Sequence, residues 1–315
     1  MTRALYFDCD TGIDDALALA LLLASPEIDL VGIGTVSGNV DSTMAAKNTL
    51  DLLALAGRPD VPVAVGELHP LEGEYHGAVP HIHGRNGVGN VELPASDRAV
   101  AAESAAEMIV RLSREYDALE IVTVGPLTNL ARALELDPTL PARVRVVTIM
   151  GGAAVVPGNV TAVAEANIYN DADAAAIVVR TPWPIVLVPL DITLEHTLDE
   201  TDRHRLLDSQ RPTARALGEI LDLYFEFYVD LYGHRSCALH DPLAAAIAVG
   251  VVTATVAPAV EVIVDDGNGP GRGQTIADLR GQRRGPRDQP GAHVRVVLET
   301  DRLLGPVLIE RVLSL

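Results

Sequence analysis

The sequence predicts an α/β fold with an open, mostly parallel, Rossmann-like sheet and helices on both of its faces. Apolar runs rich in Val, Ile and Leu recur along the chain, and stretches with helical character lie between them. Because these runs are continuously apolar rather than alternating, they are typical of strands buried on both faces of a parallel sheet. No linker rich in Gly, Pro or Ser divides the chain, and no solenoid-type repeat is present. We therefore expect residues 1–315 to form a single domain.

Each element is predicted from its local pattern. Short apolar runs bounded by polar or turn residues predict strands at residues 4–7, 30–36, 61–65, 119–124, 144–150, 185–190, 260–264 and 294–298. Longer stretches of residues with high helical propensity predict helices at about residues 16–24, 42–56, 99–116, 127–136, 172–179, 212–232 and 242–249. Two segments interrupt the alternation. Residues 66–90 are rich in Gly, His and Pro and predict a long, functional or mobile loop. Residues 267–291 are rich in Gly and Arg and predict an exposed excursion before the last strand.

The composition limits the class of partner. The formal net charge is −19, and Lys47 is the only lysine. Binding to nucleic acid or to an anionic membrane surface requires clustered Lys and Arg, so we expect neither. Cys9 and Cys237 are too few for a disulfide framework, which favours a reducing compartment. No signal-peptide pattern opens the chain and no apolar run reaches transmembrane length, so we expect a cytoplasmic protein.

Four aspartates, Asp8, Asp10, Asp14 and Asp15, lie between the first predicted strand and the first predicted helix. Such close like charges repel one another and raise each other's pKa, and a cation would relieve the repulsion. Clustered carboxylate oxygens suit Ca²⁺ or Mg²⁺. The carboxyl end of a strand, where this cluster should lie, is also where open α/β sheets bind ligands. Helix capping is the alternative, and it accounts for one or two of these residues rather than for all four.

Polar residues also follow the other predicted strands. Taken singly, each has an ordinary explanation as a cap or a turn residue; Asp241 before Pro242, for example, is a favourable N-cap with Pro at the first helical position. Taken together, they are expected at one edge of the sheet and predict a shared site, formed by Ser37, Asn39, Thr128, Asn129, Met150, Asn159, Glu165, Asn167, His240 and Asp241.

The motifs that contain these residues resemble those of the inosine–uridine-preferring nucleoside hydrolases. The matching segments are DCDTGIDDALAL, VGPLTNLA, IMGG, GNVTAVAEANIYND, LHDPLA and GRGQTIADLRG, and they span essentially the whole chain. The resemblance implies a nucleoside hydrolase-like catalytic domain over residues 1–315 that hydrolyses the N-glycosidic bond of ribonucleosides. It also implies one bound Ca²⁺, an open Rossmann-like fold and a homodimer or homotetramer.

The resemblance further implies roles for individual residues. Ca²⁺ would be bound by the carboxylates of Asp10, Asp15 and Asp241 and by the backbone carbonyl of Val124, and Asp10 would also be the general base. Asp8 would support the loop. Asp14, Asn39 and Asn167 would contact the 2′- and 3′-hydroxyls of the ribose, and Asn159 and Glu165 would contact its 5′-hydroxyl. Met150 would lie beneath the ribose. His240 would face the leaving base, and His83 would approach the substrate from a mobile loop.

Some features leave alternatives open. Tyr224, Tyr228 and Tyr232 recur every four residues on one helical face. They predict either a lid helix at the nucleobase, with Tyr228 and Tyr232 as proton donors, or an aromatic packing stripe. Ala166 stands where many relatives carry an aromatic residue, which should widen the pocket near the 5′ end.

Two other function classes compete with the nucleoside hydrolase hypothesis. One is an Asp-x-Asp phosphohydrolase with Asp8 as nucleophile and Asp10 as acid and base. Its phosphate would need a nearby cation, and Lys47, the only lysine, lies early in the chain. The other is a non-catalytic protein that binds nucleosides or sugars. The presence of every expected catalytic residue argues against that class.

Overall fold

The computed structural model describes residues 2–315. The strands are β1 (Arg3–Cys9), β2 (Ile28–Thr35), β3 (Val63–Val65), β4 (Leu119–Thr123), β5 (Val144–Met150), β6 (Ile185–Val188), β7 (Thr197–Asp199), β8 (Ser236–Ala238), β9 (Ala254–Val256), β10 (Ala259–Val260), β11 (Val262–Val264), β12 (Thr275–Ala277), β13 (Val294–Val296) and β14 (Glu299–Thr300). The helices are α1 (Ile13–Leu23), α2 (Ser42–Leu55), α3 (Pro80–His83), α4 (Ala105–Glu115), α5 (Thr128–Leu136), α6 (Ala166–Asn170), α7 (Ala172–Arg180), α8 (Leu190–Thr193), α9 (Glu200–Leu207), α10 (Pro212–Tyr232), α11 (His240–Val249) and α12 (Gly305–Ser314).

Eight strands form the central sheet, in the order β10-β13-β6-β5-β4-β1-β2-β3. All neighbours from β13 to β3 are parallel, and only β10 at the edge runs antiparallel to its neighbour within the described residues. In the central register Asp8 lies opposite Gly34 of β2 and Thr123 of β4. The carboxyl ends of β1, β2 and β4 therefore meet at one edge. The predicted fold class, an open and mostly parallel sheet covered by helices, is confirmed.

Burial explains why the central elements are almost entirely apolar. In β1 the residues from Leu5 to Cys9 are all buried, because helices cover both faces of the strand. In α1 every residue from Ile13 to Leu22 is buried, and the helix packs against α10 and α11. After its first turn, which carries Asp14 and Asp15, α1 is apolar on all sides, and such a helix is stable only inside the protein. The start of this helix is consequently held rigidly at the end of β1.

Several predicted elements have different boundaries in the structure, and the largest difference is at the start of α4. The helix predicted from residue 99 begins at Ala105, because Ser104 and Glu107 form a capping box. Ser104 N donates to Glu107 Oε2 (2.8 Å), and Glu107 N donates to Ser104 Oγ (3.3 Å). This reciprocal pair satisfies two of the free N–H groups at a helix start and fixes where the helix begins.

The prediction of a single strand at residues 260–264 is wrong. Ala259 and Val260 belong to the central sheet as β10, whereas Val262–Val264 form β11 and pair with β12 in a separate two-stranded sheet. The predicted excursion at residues 267–291 is also only partly exposed. Thr275 of β12 is buried, and Gln274 forms a bridge with Ala164 beside the site described below. The chain thus changes sheets at Glu261 and returns toward the site.

Among the helices that the structure describes, none has both the length and the apolar character that crossing a membrane requires.

Candidate active site

The polar residues predicted to share a site converge at the carboxyl edge of the central sheet. The loop after β1 carries Asp10, the loop after β2 carries Asn39, and Val124 follows β4. Met150 ends β5 and His240 begins α11. These elements are distant in the chain, but the parallel order of the strands brings their ends together.

An acidic cluster forms the floor of this site. Asp14, Asp15 and Asp241 are buried, and one carboxylate oxygen from each lies within 4.8 Å of the others. Asp10, which is 1% exposed, joins the cluster through its backbone, because Asp10 N donates to Asp15 Oδ1 (3.0 Å). Asp14 was predicted as a sugar contact, and it is also a member of this carboxylate group.

The cluster is electrostatically unfavourable without a counter-charge. Burial, and then repulsion by neighbouring carboxylates, raises the pKa of Asp10 and Asp241 well above the ordinary value. The same causes raise the pKa of Asp14 to about 7. Asp10 Oδ1 and Asp14 Oδ1 are buried and accept no hydrogen bond from any residue within 2–315. Because buried polar atoms are nearly always satisfied, these two oxygens indicate an external partner.

Backbone and amide donors fix the carboxylates in place. Asp15 Oδ2 accepts from Gly12 N (2.8 Å) and from Asn39 Nδ2 (3.0 Å), and Asp10 Oδ2 accepts from Asn39 N (2.6 Å). Gly38 allows this close approach, because a Cβ at that position would overlap Asp10 Oδ2. Asn39 therefore holds both carboxylates, in addition to its predicted role at the sugar.

Three of the predicted polar residues, Asp241, Thr128 and Asn129, do not cap the helices in which they lie. α11 begins at His240 with Leu239 as its N-cap, so Asp241 lies inside the first turn. α5 begins at Thr128 without a side-chain cap, and Asn129 Nδ2 instead donates to Asp8 Oδ2 (3.1 Å). Asp241 and Asn129 are thus directed to the site or to its support, whereas Thr128 Oγ1 donates to Asp171 Oδ2 (2.7 Å), the N-cap residue of α7.

Asp8 lies near the end of β1, where neighbouring side chains hold its carboxylate in place. Its Oδ2 accepts from Tyr6 Oη (2.7 Å), and both of its oxygens accept from Asn129 Nδ2. Burial raises the pKa of Asp8 to about 7. Asn129 Nδ2 also donates to Thr35 O (3.0 Å), so one side chain connects the ends of β1 and β2. The predicted supporting position of Asp8 agrees with these contacts.

The carbonyl of Val124 lies beside Asn167. Asn167 Nδ2 donates to Val124 O (2.7 Å) and to Met150 O (3.2 Å), and it lies 3.4 Å from Met150 Sδ. Glu165, two residues earlier, caps α6: its Oε1 accepts from Asn167 N (2.8 Å) and its Oε2 from Gly152 N (2.9 Å). This set places Met150, Glu165 and Asn167 on one side of the acidic cluster.

Asn159 is exposed at the rim of the same side. Its Oδ1 accepts from Ala166 N (3.0 Å), the residue that follows Glu165. Glu165 directly precedes Ala166 and is the N-cap residue of α6. The two residues predicted near the 5′ end are therefore adjacent in space.

On the opposite side, His240 is held by two hydroxyl groups. Its Nδ1 lies 2.7 Å from Thr193 Oγ1, and its Nε2 lies 2.7 Å from Tyr228 Oη. Burial lowers the pKa of His240 to about 4, so the imidazole is neutral near pH 7. Thr193 was not predicted. Its position in α8, directly after β6 at the same sheet edge, is the signal that indicates it.

The tyrosine stripe shows the predicted packing arrangement, and the alternative role as a lid at the nucleobase stays a prediction. Tyr224 and Tyr228 are buried with their rings 5.0 Å apart and edge to face, which is a packing arrangement. Tyr228 also contacts His240. Tyr232 is half-buried and its hydroxyl donates to Leu194 O (3.0 Å).

His83 is buried at the end of α3, inside the long loop at residues 66–90. Its Nδ1 accepts from Ile13 N (3.1 Å) and lies 4.0 Å from Asp14 Oδ1. Burial lowers the pKa of His83 to about 3. A Cβ at position 12 would collide with the His83 ring, so Gly12 permits this contact. The loop thus reaches the acidic cluster.

The fold and the site define an α/β enzyme with an acidic, oxygen-rich centre beside a hydrogen-bonded histidine–tyrosine pair. Comparison with known proteins identifies the family. The sequence profile described as "Inosine-uridine preferring nucleoside hydrolase" matches residues 5–303, and the chain belongs to that family. The predicted family is therefore confirmed, and the chain is a ribonucleoside hydrolase.

Relatives and solved structures agree with this assignment. The chain is 37% identical to "Uridine nucleosidase 1" of Arabidopsis thaliana over 240 residues, covering 76% of this chain and 71% of the relative. It is 38% identical to "Pyrimidine-specific ribonucleoside hydrolase RihA" of Salmonella typhi over 244 residues, covering 77% and 78%. A plant nucleoside hydrolase, PpNRh1, superposes with a TM-score of 0.92 at 33% identity over 100% of both chains. A purine-preferring ribonucleoside hydrolase from Gardnerella vaginalis superposes with a TM-score of 0.88 at 34% identity, covering 99% and 97%.

Proposed function

We propose that residues 1–315 form one catalytic domain that uses Ca²⁺ to hydrolyse the N-glycosidic bond of ribonucleosides, releasing free base and ribose. Membership of the nucleoside hydrolase family supports the reaction. The observation that carries the metal requirement is the pair of orphaned oxygens, Asp10 Oδ1 and Asp14 Oδ1, among buried carboxylates.

The residues of the cluster fit a hard divalent cation. All donors are oxygens, which Ca²⁺ prefers, and Ca²⁺ accepts about 6–8 of them, which leaves room for substrate hydroxyls. Asp10, Asp15, Asp241 and the carbonyl of Val124 would hold the ion, and Asp14 lies within reach of the same group. When bound, the ion would lower the pKa of water and offset the acidic charge.

Asp10 is the proposed general base. Its Oδ2 already accepts from Asn39 N, so Oδ1 is the atom available to take a proton from the attacking water. The distortion and charge of the sugar ring at the transition state resemble those of glycoside hydrolysis, with positive charge spread over the ring. The surrounding carboxylates stabilise that charge more than they stabilise the neutral substrate.

Amide side chains are the proposed sugar contacts. Asn39 and Asn167 use their Nδ2 atoms to donate to Asp15 and Val124, and their Oδ1 atoms accept no hydrogen bond within the part of the chain that the structure describes. These oxygens, with Asp14, would accept from the 2′- and 3′-hydroxyls. Met150 would lie beneath the ring. The pairing of Asn159 with the start of α6, beside Glu165, supports a position for both at the 5′-hydroxyl.

His240 and Tyr228 are the proposed groups at the leaving base. Their hydrogen bond, together with that to Thr193, would fix the orientation of the neutral imidazole beside the base. Tyr232 and His83 would complete the wall around the base. The alternative phosphohydrolase chemistry lacks support, because both oxygens of the fully buried Asp8 accept hydrogen bonds from Tyr6 or Asn129.

The test is a panel of nucleosides assayed with the purified protein, before and after chelation and after Ca²⁺ is restored. The panel contains uridine, cytidine, inosine and adenosine with their 2′-deoxy forms, and free base and free ribose are both measured. We expect equimolar base and ribose from ribonucleosides only in the presence of Ca²⁺. Full activity in a sample shown to be metal-free would contradict the metal requirement. Release of phosphate from nucleotides without free base would contradict the reaction.

The predicted homodimer or homotetramer and the predicted cytoplasmic location stay predictions. Light scattering on the purified protein tests the first, and fractionation of the source cells tests the second.

A further inference from the structure

The loop at residues 151–165, which connects β5 to α6, borders the candidate active site. At its far end the loop is held by its own backbone, because Gly158 N donates to Ala162 O (3.2 Å) and Val160 N donates to Ala164 O (3.2 Å). Its first half is held differently, by a side chain from another element. That side chain is Asp191 of α8.

Asp191 accepts hydrogen bonds from three successive backbone N–H groups of the loop. Its Oδ2 accepts from Ala154 N (2.7 Å), and its Oδ1 accepts from Val155 N (2.8 Å) and Val156 N (3.3 Å). Successive N–H groups that converge on one point form a concave anion-binding feature called a nest. Here the anion is a half-buried carboxylate, so the contact fixes the loop to α8.

α8 also contacts both sides of the site. Leu190 N donates to Gly152 O (2.9 Å) at the beginning of the loop. Two residues after Asp191, Thr193 Oγ1 lies 2.7 Å from His240 Nδ1. The loop that leads to Asn159 and the side chain that orients His240 are therefore attached to one short helix.

We propose that Asp191 is a positioning residue for substrate binding, and that its carboxylate fixes the loop at residues 151–165 so that Asn159 and Glu165 meet the 5′-hydroxyl of the ribose. The inference rests on the proposed function. Because backbone donors occupy both oxygens of Asp191, it acts through the loop and not by contacting the substrate. Losing it should weaken substrate binding more than it slows the chemical step.

The test compares wild type with Asp191→Asn on a ribonucleoside and on its 5′-deoxy analogue. The asparagine keeps the side-chain size but turns an NH₂ group toward a backbone N–H. For the ribonucleoside we expect KM to rise about tenfold while kcat changes less than about threefold. For the 5′-deoxy analogue we expect the two proteins to have KM values within about twofold of each other, because the hydroxyl is missing.

Two further variants control the comparison. Asp191→Glu keeps the charge but displaces it by one methylene, and it should raise KM for the ribonucleoside by a smaller factor. Asp199→Asn is the matched control, because Asp199 accepts from Thr201 N (2.7 Å) and Asp202 N (3.1 Å) at the start of α9, outside the site. It should keep the wild-type KM for both substrates.

An unchanged KM in Asp191→Asn, or an equal rise for both substrates, would overturn the inference while the proposed function stands. A wild-type protein that releases no base from any ribonucleoside would contradict the proposed function itself. Thermal unfolding of each variant establishes whether it is folded. If Asp191→Asn does not fold, the same comparison is made with Asp191→Glu.

Discussion

At the scale of single residues, the two carboxylate oxygens of Asp10 have different environments. Oδ2 accepts from Asn39 N, and Oδ1 is buried without a partner in the described chain. Asp10→Asn should preserve the first contact and remove the basicity of the second. We expect kcat to fall by about 10²–10⁴-fold, the range for loss of a general base, while the melting temperature stays within a few degrees.

The matched control for this variant is Asp41→Asn. Asp41 caps α2 through Thr43 N and Met44 N, close to the site in sequence but outside the acidic cluster. It should keep nearly full activity. Wild-type turnover in Asp10→Asn would show that another group takes the proton.

His240 gives a second residue-scale prediction. His240→Ala removes the imidazole that contacts Tyr228 and Thr193. If it assists departure of the base, the loss of kcat/KM should be about 10²-fold or more for inosine or uridine and much smaller for a nitrophenyl riboside, whose leaving group needs no proton. Steady-state kinetics on both substrates measures the difference. Equal losses on the two would exclude a leaving-group role.

The sequence could identify most members of the site but not the contacts among them. Asp15 and Asp241 were predicted, from the resemblance to the family, to share a metal ion with Asp10, and Asp14 was predicted to contact the sugar. In the structure the carboxylates of Asp14, Asp15 and Asp241 lie together. The position of Thr193 after β6 is a signal that it lies near the site, but its bond to His240 could not be predicted, because that bond joins residues 47 apart through the packing of α8 against α11. The pairing of Asn39 with Asp15 could not be predicted either, because it depends on the distance between the loop after β2 and the first turn of α1.

At the scale of elements, the central strands were predictable, whereas two helices late in the chain, α9 and α12, were not predicted. β1, β4 and β5 are continuous apolar runs that keep their predicted positions within a few residues. β10 and β11 share one apolar run, and the exposed Glu261 between them marks the change of sheet that hydrophobicity alone did not indicate. Elements of two or three residues such as β14 depend on their partners for stability and have too few residues for a pattern.

The capping box of α4 gives a prediction at this scale. Ser104→Ala removes the hydroxyl that accepts from Glu107 N. We expect the free energy of unfolding to fall by about 1 kcal/mol with kinetics unchanged, because the helix lies away from the site. Denaturant titration measures the effect. The control is Thr201→Ala, which removes a hydroxyl from an exposed position in the first turn of α9 without removing a cap. A change in stability no larger than that of the control would show that the box does not stabilise α4.

The environment of His196 predicts how the stability of the protein depends on pH. His196 Nδ1 accepts from Leu304 N (3.0 Å), beside the start of α12, and its Nε2 lies 3.1 Å from Thr300 Oγ1. Burial lowers the pKa of His196 below the ordinary value of about 6.5. As the pH falls below that value, the unfolded chain takes up a proton that the folded chain resists, so stability should decrease on acidification.

Melting temperatures between pH 7.5 and pH 5 measure this effect. His196→Gln should have a lower melting temperature at pH 7.5 but a smaller decrease toward pH 5 than wild type. His204→Gln, at an exposed position on α9, should behave as wild type. An identical pH response in His196→Gln would contradict the role of His196.

At the scale of the whole molecule, the formal net charge of −19 and the buried acidic cluster lead us to expect that a bound cation stabilises the protein. We expect Ca²⁺ to raise the melting temperature of the chelated protein, since a ligand at 100 times its dissociation constant contributes about 2.7 kcal/mol to the free energy of unfolding. Differential scanning calorimetry with Ca²⁺, Mg²⁺ and chelator measures the shift. Asp241→Asn should show a much smaller shift, and an equal shift in that variant would place the stabilising ion elsewhere.

The acidic cluster draws its members from distant parts of the polypeptide, with Asp14 and Asp15 near the amino terminus and Asp241 in the last third. A ribosome therefore delivers two of these three carboxylates long before the remaining one emerges from the exit tunnel. A half-synthesised chain consequently lacks part of the cluster, and the proposed metal site is complete only when the late α11 segment docks onto the earlier elements.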